Sequence, residues 1–302
     1  MNNYRARPGR PHRHYRVIIA AALLTLYSVV AAAQEPAAHA APVAVLLAAG
    51  DIAECGSAGA QRTAELIDNM EGLVLAAGDL AYPSGTLRDF MKCYEPTWGR
   101  FKSRTLPAPG NHEYGIRDAA GYFAYFGKQA GENGKGYYSI DLQGWHLIAL
   151  NSNIDIGASS EQMRWLQQDL TKNQASCILA FWHHPRYTSG PHGDTQHMAP
   201  AWEQLARHHA SIVISGHDHN YERLAPLDAK GFKQESGIRS FVVGTGGAKL
   251  YNFSMRSNYS DAWNGTTWGV LKLSLFPGRY TWEFVPVQGG QYQDLGEGRC
   301  AG

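Results

Sequence analysis

SIVISGHDHNYER, residues 211–223, carries a short apolar run through Gly216 into His217, Asp218 and His219. Such a run is what a strand buried on both faces requires, yet it stops on groups that bind protons or cations. Four other runs end the same way. Residues 43–50 deliver Asp51, and 73–78 deliver Asp79. Residues 106–110 deliver Asn111, followed by His112 and Glu113, and 177–182 deliver His183 and His184. Between them lie stretches of helical composition: QRTAELIDNM (61–70), LRDFMKCY (87–94), SSEQMRWLQQDL (159–170) and MAPAWEQLARHHA (198–210). The third opens on a capping-box pattern, Ser159 to Gln162, and sets Met163, Leu166 and Leu170 on one helical face. GYYSIDLQGWHLIALNS (136–152) alternates and breaks at Gln143-Gly144, a hairpin signal. After residue 237 the texture turns to strands and hairpins, as in WGVLKLSLFPGRYTWEFVPV (268–287). The pattern predicts one α/β domain, with one mixed sheet or two sheets packed together.

Ligands of α/β sheets gather beyond the carboxyl ends of the strands. Five strands therefore aim oxygen and imidazole groups at one place. Glycine precedes the polar residue in four of the five, which permits a sharp turn. In an extended stretch His217 and His219 share a side and Asp218 faces away, a spacing that suits two neighbouring metal ions. Mixed Asp, Asn and His donors suit hard or borderline ions, held about 3.5–4 Å apart in two-metal centres. A lone histidine at a strand end is ordinarily a hydrogen-bonded surface group; five such endings in order are not.

The chain has 302 residues and a formal charge of +1, from 27 basic and 26 acidic side chains. That balance leaves no footprint for nucleic acid. Its first 16 residues hold five arginines and no acid, and VIIAAALLTLYSVVAAA (17–33) follows. A basic start, an apolar core and an A-x-A ending describe a secretory signal; the run is a little shorter than the ~20 residues of a spanning helix, and a membrane anchor is the alternative. The expected organisation is a signal at 1–33, a flexible lead-in at 34–42 and a catalytic domain at 43–302. The mature chain would be secreted or periplasmic, free of the membrane. Export favours disulfides among Cys55, Cys93, Cys177 and Cys300. Four cysteines allow three pairings; Cys55–Cys93, both following early motifs, with Cys177–Cys300 is the expectation.

The ordered motifs GD (50–51), GDLAY (78–82), GNHE (110–113), HHP (183–185) and GHDHNYER (216–223) resemble those of the calcineurin-like metallophosphoesterases. Within them the chain most resembles the purple acid phosphatases, from residue 43 to about 285. The resemblance implies a four-layer α/β/β/α sandwich with two mixed sheets. Residues 34–50 leave no room for the β-sandwich that precedes the first motif in large plant-type members, so the single-domain form is expected. Many metallophosphoesterases carry a histidine where this chain has Ala53, while Tyr82 occupies the position of the tyrosine ligand of purple acid phosphatases. A phenol with a pKa near ~10 yields its proton readily only to a strongly charged ion. The implied cofactors are therefore Fe3+ plus a divalent ion (Fe2+, Zn2+ or Mn2+), and tyrosinate-to-iron charge transfer would colour the protein.

By the same resemblance one ion takes Asp51, Asp79, Tyr82 and His219. The other shares Asp79 and takes Asn111, His183 and His217, with His184 the replacement should the motif slip by one residue. A metal-bound hydroxide would attack a phosphomonoester in line, without a phosphoenzyme. His112 is the first candidate for the acid that protonates the leaving group, or for a phosphate contact. His192 is the second, and His197 ranks below both. A solvent-facing loop histidine is the plain alternative for all three. His184, Asp218, Glu222 and Arg223 are expected behind the ligands, facing substrate or in ion pairs that orient them. The rival readings are a phosphodiesterase or nucleotide hydrolase on the same centre, and a metal- or phosphate-binding protein without turnover.

Overall fold

Successive side chains of the strand Cys177–Phe181 face two different cores. Cys177, Leu179 and Phe181 join one buried cluster, while Ile178 and Ala180 join a second with Trp182. This is the period of two that a strand imposes, and because both faces are covered the run reads as continuously apolar. The computed structural model describes residues 1–3, 9, 41–132, 134–253 and 255–301. The expected signal, apart from residues 1–3 and 9, and most of the lead-in lie outside the described residues.

In chain order the strands are β1 (Ala44–Ala49), β2 (Leu73–Ala77), β3 (Thr105–Ala108), β4 (Tyr138–Leu142), β5 (Trp145–Ala149), β6 (Cys177–Phe181) and β7 (Ile212–Ser215). They continue with β8 (Tyr221–Leu224), β9 (Arg239–Val243), β10 (Ser260–Asn264), β11 (Gly269–Phe276), β12 (Arg279–Pro286) and β13 (Leu295–Arg299). One six-stranded sheet has the order β13-β12-β11-β1-β2-β3, and a seven-stranded sheet has the order β10-β8-β9-β7-β6-β5-β4. Both are mixed. In the first, β1, β2 and β3 are mutually parallel and the rest antiparallel. In the second, β5, β6, β7 and β9 are parallel, with antiparallel edges.

The helices are α1 (Gly59–Asp68), α2 (Leu87–Asp89), α3 (Ala120–Phe126), α4 (Glu161–Lys172) and α5 (Ala199–Arg207). Met163, Leu166 and Leu170 of α4 and Trp202 and Leu205 of α5 cover the outer face of the second sheet. Ala64 and Ile67 of α1 and the aromatic side chains of α3 belong to the larger buried cluster, which includes the first sheet and extends to the inner face of the second. The result is the four-layer sandwich. Both disulfides pair as expected, Cys55 with Cys93 and Cys177 with Cys300. No described helix is long and apolar enough to cross a membrane.

The start of α4 differs from the sequence expectation by one residue. Ser160, not Ser159, is the cap, accepting from the Met163 amide at 3.2 Å. Gln162 is buried and turned elsewhere: its amide accepts from Asn151 N at 2.8 Å and donates to Asn151 O at 3.0 Å. It pins the loop after β5 instead of closing a capping box.

His146 ties β5 to α4. Its ring nitrogens lie 2.7 Å from Asp141 Oδ1 and 2.7 Å from Asp169 Oδ2. Burial would lower its pKa, but the two carboxylates prevail and raise it. A raised folded-state pKa means the stabilisation is full below the unfolded value of about 6.5 and fades as pH rises through the folded value. Unfolding free energies of wild type and His146→Gln from urea titrations should therefore differ by on the order of 1 kcal/mol near pH 5.5 and converge in alkali. A gap that ignores pH would refute the assignment.

Candidate metal centre

β1, β2 and β3 lie side by side in one sheet, and β6 and β7 side by side in the other. Their carboxyl ends meet where the sheets are cross-linked by hydrogen bonds. Gly50 N donates to Val243 O at 2.9 Å, and His217 N donates to Asp51 Oδ2 at 2.8 Å. His183 Nδ1 lies 3.0 Å from Ala77 O.

Two donor sets converge at this seam. In the first, Tyr82 Oη is 3.2 Å from Asp51 Oδ1, 3.3 Å from Asp79 Oδ2 and 3.2 Å from His219 Nε2. In the second, His183 Nε2 is 3.1 Å from Asn111 Oδ1, 3.2 Å from Asp79 Oδ2 and 3.2 Å from His217 Nδ1. Asp79 Oδ2 belongs to both. Ligands about 2.0–2.2 Å from one ion sit roughly 3–3.4 Å from each other, so both sets have the spacing of coordination edges. The tautomers agree with this. A carbonyl only accepts, so the Nδ1 atoms of His183 and His219, at 3.0 Å from Ala77 O and 2.8 Å from Lys249 O, carry the protons and leave Nε2 as a lone-pair donor. The residues fit two oxygen- and nitrogen-ligated ions.

The electrostatics are those of crowded, buried ligands. Burial, then Asp51 and Asp79, raise the Tyr82 phenol well above its ordinary value. Burial would lower His183 and His219, but Asp79 and Asp51 respectively push each up to about 9, so a cation taking the Nε2 lone pair would displace a proton there. Burial and the neighbouring imidazoles of His183 and His184 hold His217 down, to about 2.

Two local readings of the sequence are corrected here. Residues 217–220 form bends, not an extended stretch, and His217 has φ 73°. The histidines serve different donor sets because the chain turns between them. The glycines also act differently from the expectation. Among those before the polar residues only Gly78 has a positive φ, whereas Asp51 (58°), Asp79 (52°) and His217 (73°) themselves adopt the left-handed conformation. That costs about 1–2 kcal/mol per residue, borne by the candidate ligands. Gly110 serves close approach: a Cβ there would stand 2.1 Å from Asp79 Oδ1.

The remaining candidates fall around this seam. His112 donates its main-chain N–H to Asp79 Oδ1 at 2.8 Å, and its ring sits 4.3 Å from that of Tyr82. His192 flanks the other set, its ring 4.2 Å from His217 and its Nδ1 2.8 Å from Asp218 Oδ1. Asp218 is fully buried and also accepts from Thr188 Oγ1 at 2.8 Å. His184 sits beside the second set with Nδ1 2.7 Å from Ser152 Oγ, and burial lowers its pKa to about 3; it is His183 that faces Asp79 and Asn111. His197 reaches Ser152 O at 3.0 Å. Glu222 stands further back, accepting from Ser189 N at 2.7 Å. Arg223 departs from the expectation. It pairs with Asp294 at 2.8 Å and Asp261 at 3.2 Å, fastening β8 to the C-terminal segment and β10, and contacts no candidate ligand among the described residues.

Two residues of the site carried no role in the sequence reading. Glu113 is fully buried and accepts from Leu80 N (2.9 Å), Ala81 N (3.1 Å) and Gly110 N (2.8 Å), joining the loops after β2 and β3. Its position in GNHE was the available signal. Burial and Asp79 push its pKa up to about 7. Tyr251 stacks on His219 at 4.9 Å and bonds to His217 O at 3.0 Å. No local pattern marks it. Ala53 contributes backbone: its carbonyl accepts from Tyr82 N at 3.0 Å.

The sequence profile of the calcineurin-like phosphoesterases matches residues 20–221, and the chain belongs to that family. Within it the chain is similar to purple acid phosphatases. It is 31% identical to purple acid phosphatase 15 of Arabidopsis thaliana over 52% of this chain and 37% of that one. With purple acid phosphatase 18 of the same plant the identity is 28%, over 76% of this chain and 54% of the other. The chain thus spans about half or less of the length of these relatives. Among solved structures, purple acid phosphatase PPD1 of yellow lupin (Lupinus luteus) superposes with a TM-score of 0.70 and 19% identity, over 84% of this chain and 53% of that one, and shares the fold.

Gly110→Ala tests the close packing behind Asp79. The added methyl collides with the shared carboxylate, and zinc titration should show metal affinity reduced at least about tenfold. Unchanged affinity would show that Asp79 is not held as described.

Proposed function

We propose that this protein is an exported, binuclear metal-dependent phosphatase that hydrolyses phosphomonoesters. The observation that carries the reading is the single oxygen, Asp79 Oδ2, common to two four-donor sets. Asp51, Asp79, Tyr82 and His219 hold Fe3+; Asp79, Asn111, His183 and His217 hold a divalent ion, Fe2+, Zn2+ or Mn2+. When bound, the pair supplies Lewis acidity and lowers the pKa of water. Family membership and similarity to purple acid phosphatases support the reaction class. The signal-like residues 1–33 and two disulfides support export.

The chain's own residues divide the remaining work. His112 Nδ1 is 2.6 Å from Pro83 O, which fixes the ring. Its Nε2 lies 3.8 Å from Asp79 Oδ2 and borders an open cleft with Tyr82 and His219. From there the imidazolium donates a proton to the departing alkoxide. His192, oriented by Asp218, lies on the opposite flank and binds a phosphoryl oxygen. Glu113 holds the loops that carry Asp79 and Asn111 in register.

Metal-loaded protein should hydrolyse p-nitrophenyl phosphate and lose that activity to a chelator or to Asp79→Asn. Absence of turnover with both metals bound would favour the non-catalytic binding reading. His112→Gln should slow alkyl phosphates by about 10²–10⁴-fold and p-nitrophenyl phosphate far less, since p-nitrophenolate leaves without a proton. Equal losses on the two esters would remove His112 as the acid. The wild type should absorb visible light and Tyr82→Phe should lose the band; a colourless, iron-free, active wild type would refute the Fe3+–tyrosinate assignment alone.

A further inference from the structure

The cleft beside His112 does not end at the metal centre. It has a volume of about 480 Å³ and is lined by Tyr82, His112 and His219 at one end and by Glu54, Cys55 and Lys249 at the other. A second cleft of about 530 Å³ shares Glu54, Cys55 and Lys249 and continues to Leu250 and Trp268. The two make one groove running outward from the face where His112 would protonate a leaving group. Its far wall is fixed to the centre by hydrogen bonds to the main chain. Trp268 Nε1 donates to Ala248 O at 2.8 Å, and Ala248 N donates to Asp51 O at 2.8 Å. The neighbouring Lys249 carbonyl accepts from His219 Nδ1. The indole is thus held two hydrogen-bonded steps from a candidate metal ligand, and it is only partly buried.

The polar groups along the groove are of both kinds. Lys249 and Glu54 are exposed. Glu54 accepts the Lys249 amide at 3.2 Å, and no described carboxylate lies within ion-pairing reach of the Lys249 ammonium. A donor and an acceptor without a mutual salt bridge, ahead of a rigid flat ring, suit a hydroxylated spacer that ends in a planar group.

Resting on the phosphatase reading of the centre, we propose that this groove is a leaving-group subsite for nucleoside monophosphates. The sugar hydroxyls lie against Glu54 and Lys249, the base lies on Trp268, and the phosphate stays at the metal centre. Glu54 and Lys249 offset each other along the spacer, and Arg62, whose guanidinium stands 5.8 Å from the centroid of the Trp268 ring, is the cation at the far end beside the base. The reaction is the hydrolysis already described: the P–O bond to the 5′-oxygen breaks, that oxygen takes a proton from His112, and water supplies the oxygen that becomes phosphate.

The test compares adenosine 5′-monophosphate with glycerol phosphate, which has a hydroxylated spacer and no ring, in metal-loaded wild type, Trp268→Ala and Glu54→Gln. Loss of base stacking in Trp268→Ala should cut kcat/KM for the nucleotide about tenfold or more beyond any loss on glycerol phosphate. Glu54→Gln should reduce the preference for ribose over 2′,3′-dideoxyribose nucleotide. Equal losses on ring-bearing and ringless esters, or no loss, would overturn the subsite. Calorimetric titration with adenosine separates this outcome from failure of the phosphatase reading, since the nucleoside needs no metal contact. Binding by wild type and not by Trp268→Ala upholds the groove even if no ester is hydrolysed, and no binding by wild type overturns it.

Discussion

Two carboxylates, Asp51 and Asp79, lie out of water at the seam between the sheets, within reach of a phenol and three imidazoles. Burying charge is expensive unless a counter-charge and hydrogen bonds meet it. Here main-chain amides take one oxygen of each, His217 N for Asp51 and His112 N for Asp79. The other oxygens are left facing lone-pair donors. Such a nest of acceptors is stable around cations and costly without them, and the left-handed ligand residues and the glycine that abuts Asp79 exist to hold it.

Most of the architecture could be read in the chain because burial on two faces leaves a plain mark. Residues 73–78 and 177–182 are apolar without interruption, and each ends where the sheet ends. The ordering of polar residues after those runs pointed six candidate ligands to one seam, and the seventh, Tyr82, came from the family resemblance. The departures have separate causes. Arg223 and Tyr251 act through partners distant in sequence, Asp294 for one and His192 and His217 for the other, and nothing near them in the chain announces the contact. Ser160 was misjudged against Ser159 because adjacent serines offer the same chemistry, and the choice falls to where the helix axis enters. The direction of His217 followed from a turn, which the spacing alone does not encode.

Loops and sheets divide their labour here. Main-chain bonds between strand ends set the positions of the ligands, while Glu113 and the Cys55–Cys93 bridge brace the loops around them. The loop that carries Ala248 and Lys249 also reaches the candidate ligands through its backbone, by Lys249 O and Ala248 N. A change in that loop is therefore felt at His219 and Asp51.

Each donor set takes members from both sheets: His219 joins Asp51, Asp79 and Tyr82 in one, and His183 and His217 join Asp79 and Asn111 in the other. An ion seated in either set is a clasp across the sandwich. An unfolded chain offers no such cage, so the free energy of capturing the ions is also free energy of assembly. On the proposed two-ion reading, folding and the capture of metal are then coupled equilibria, and scarcity of either ion would lower the folded population.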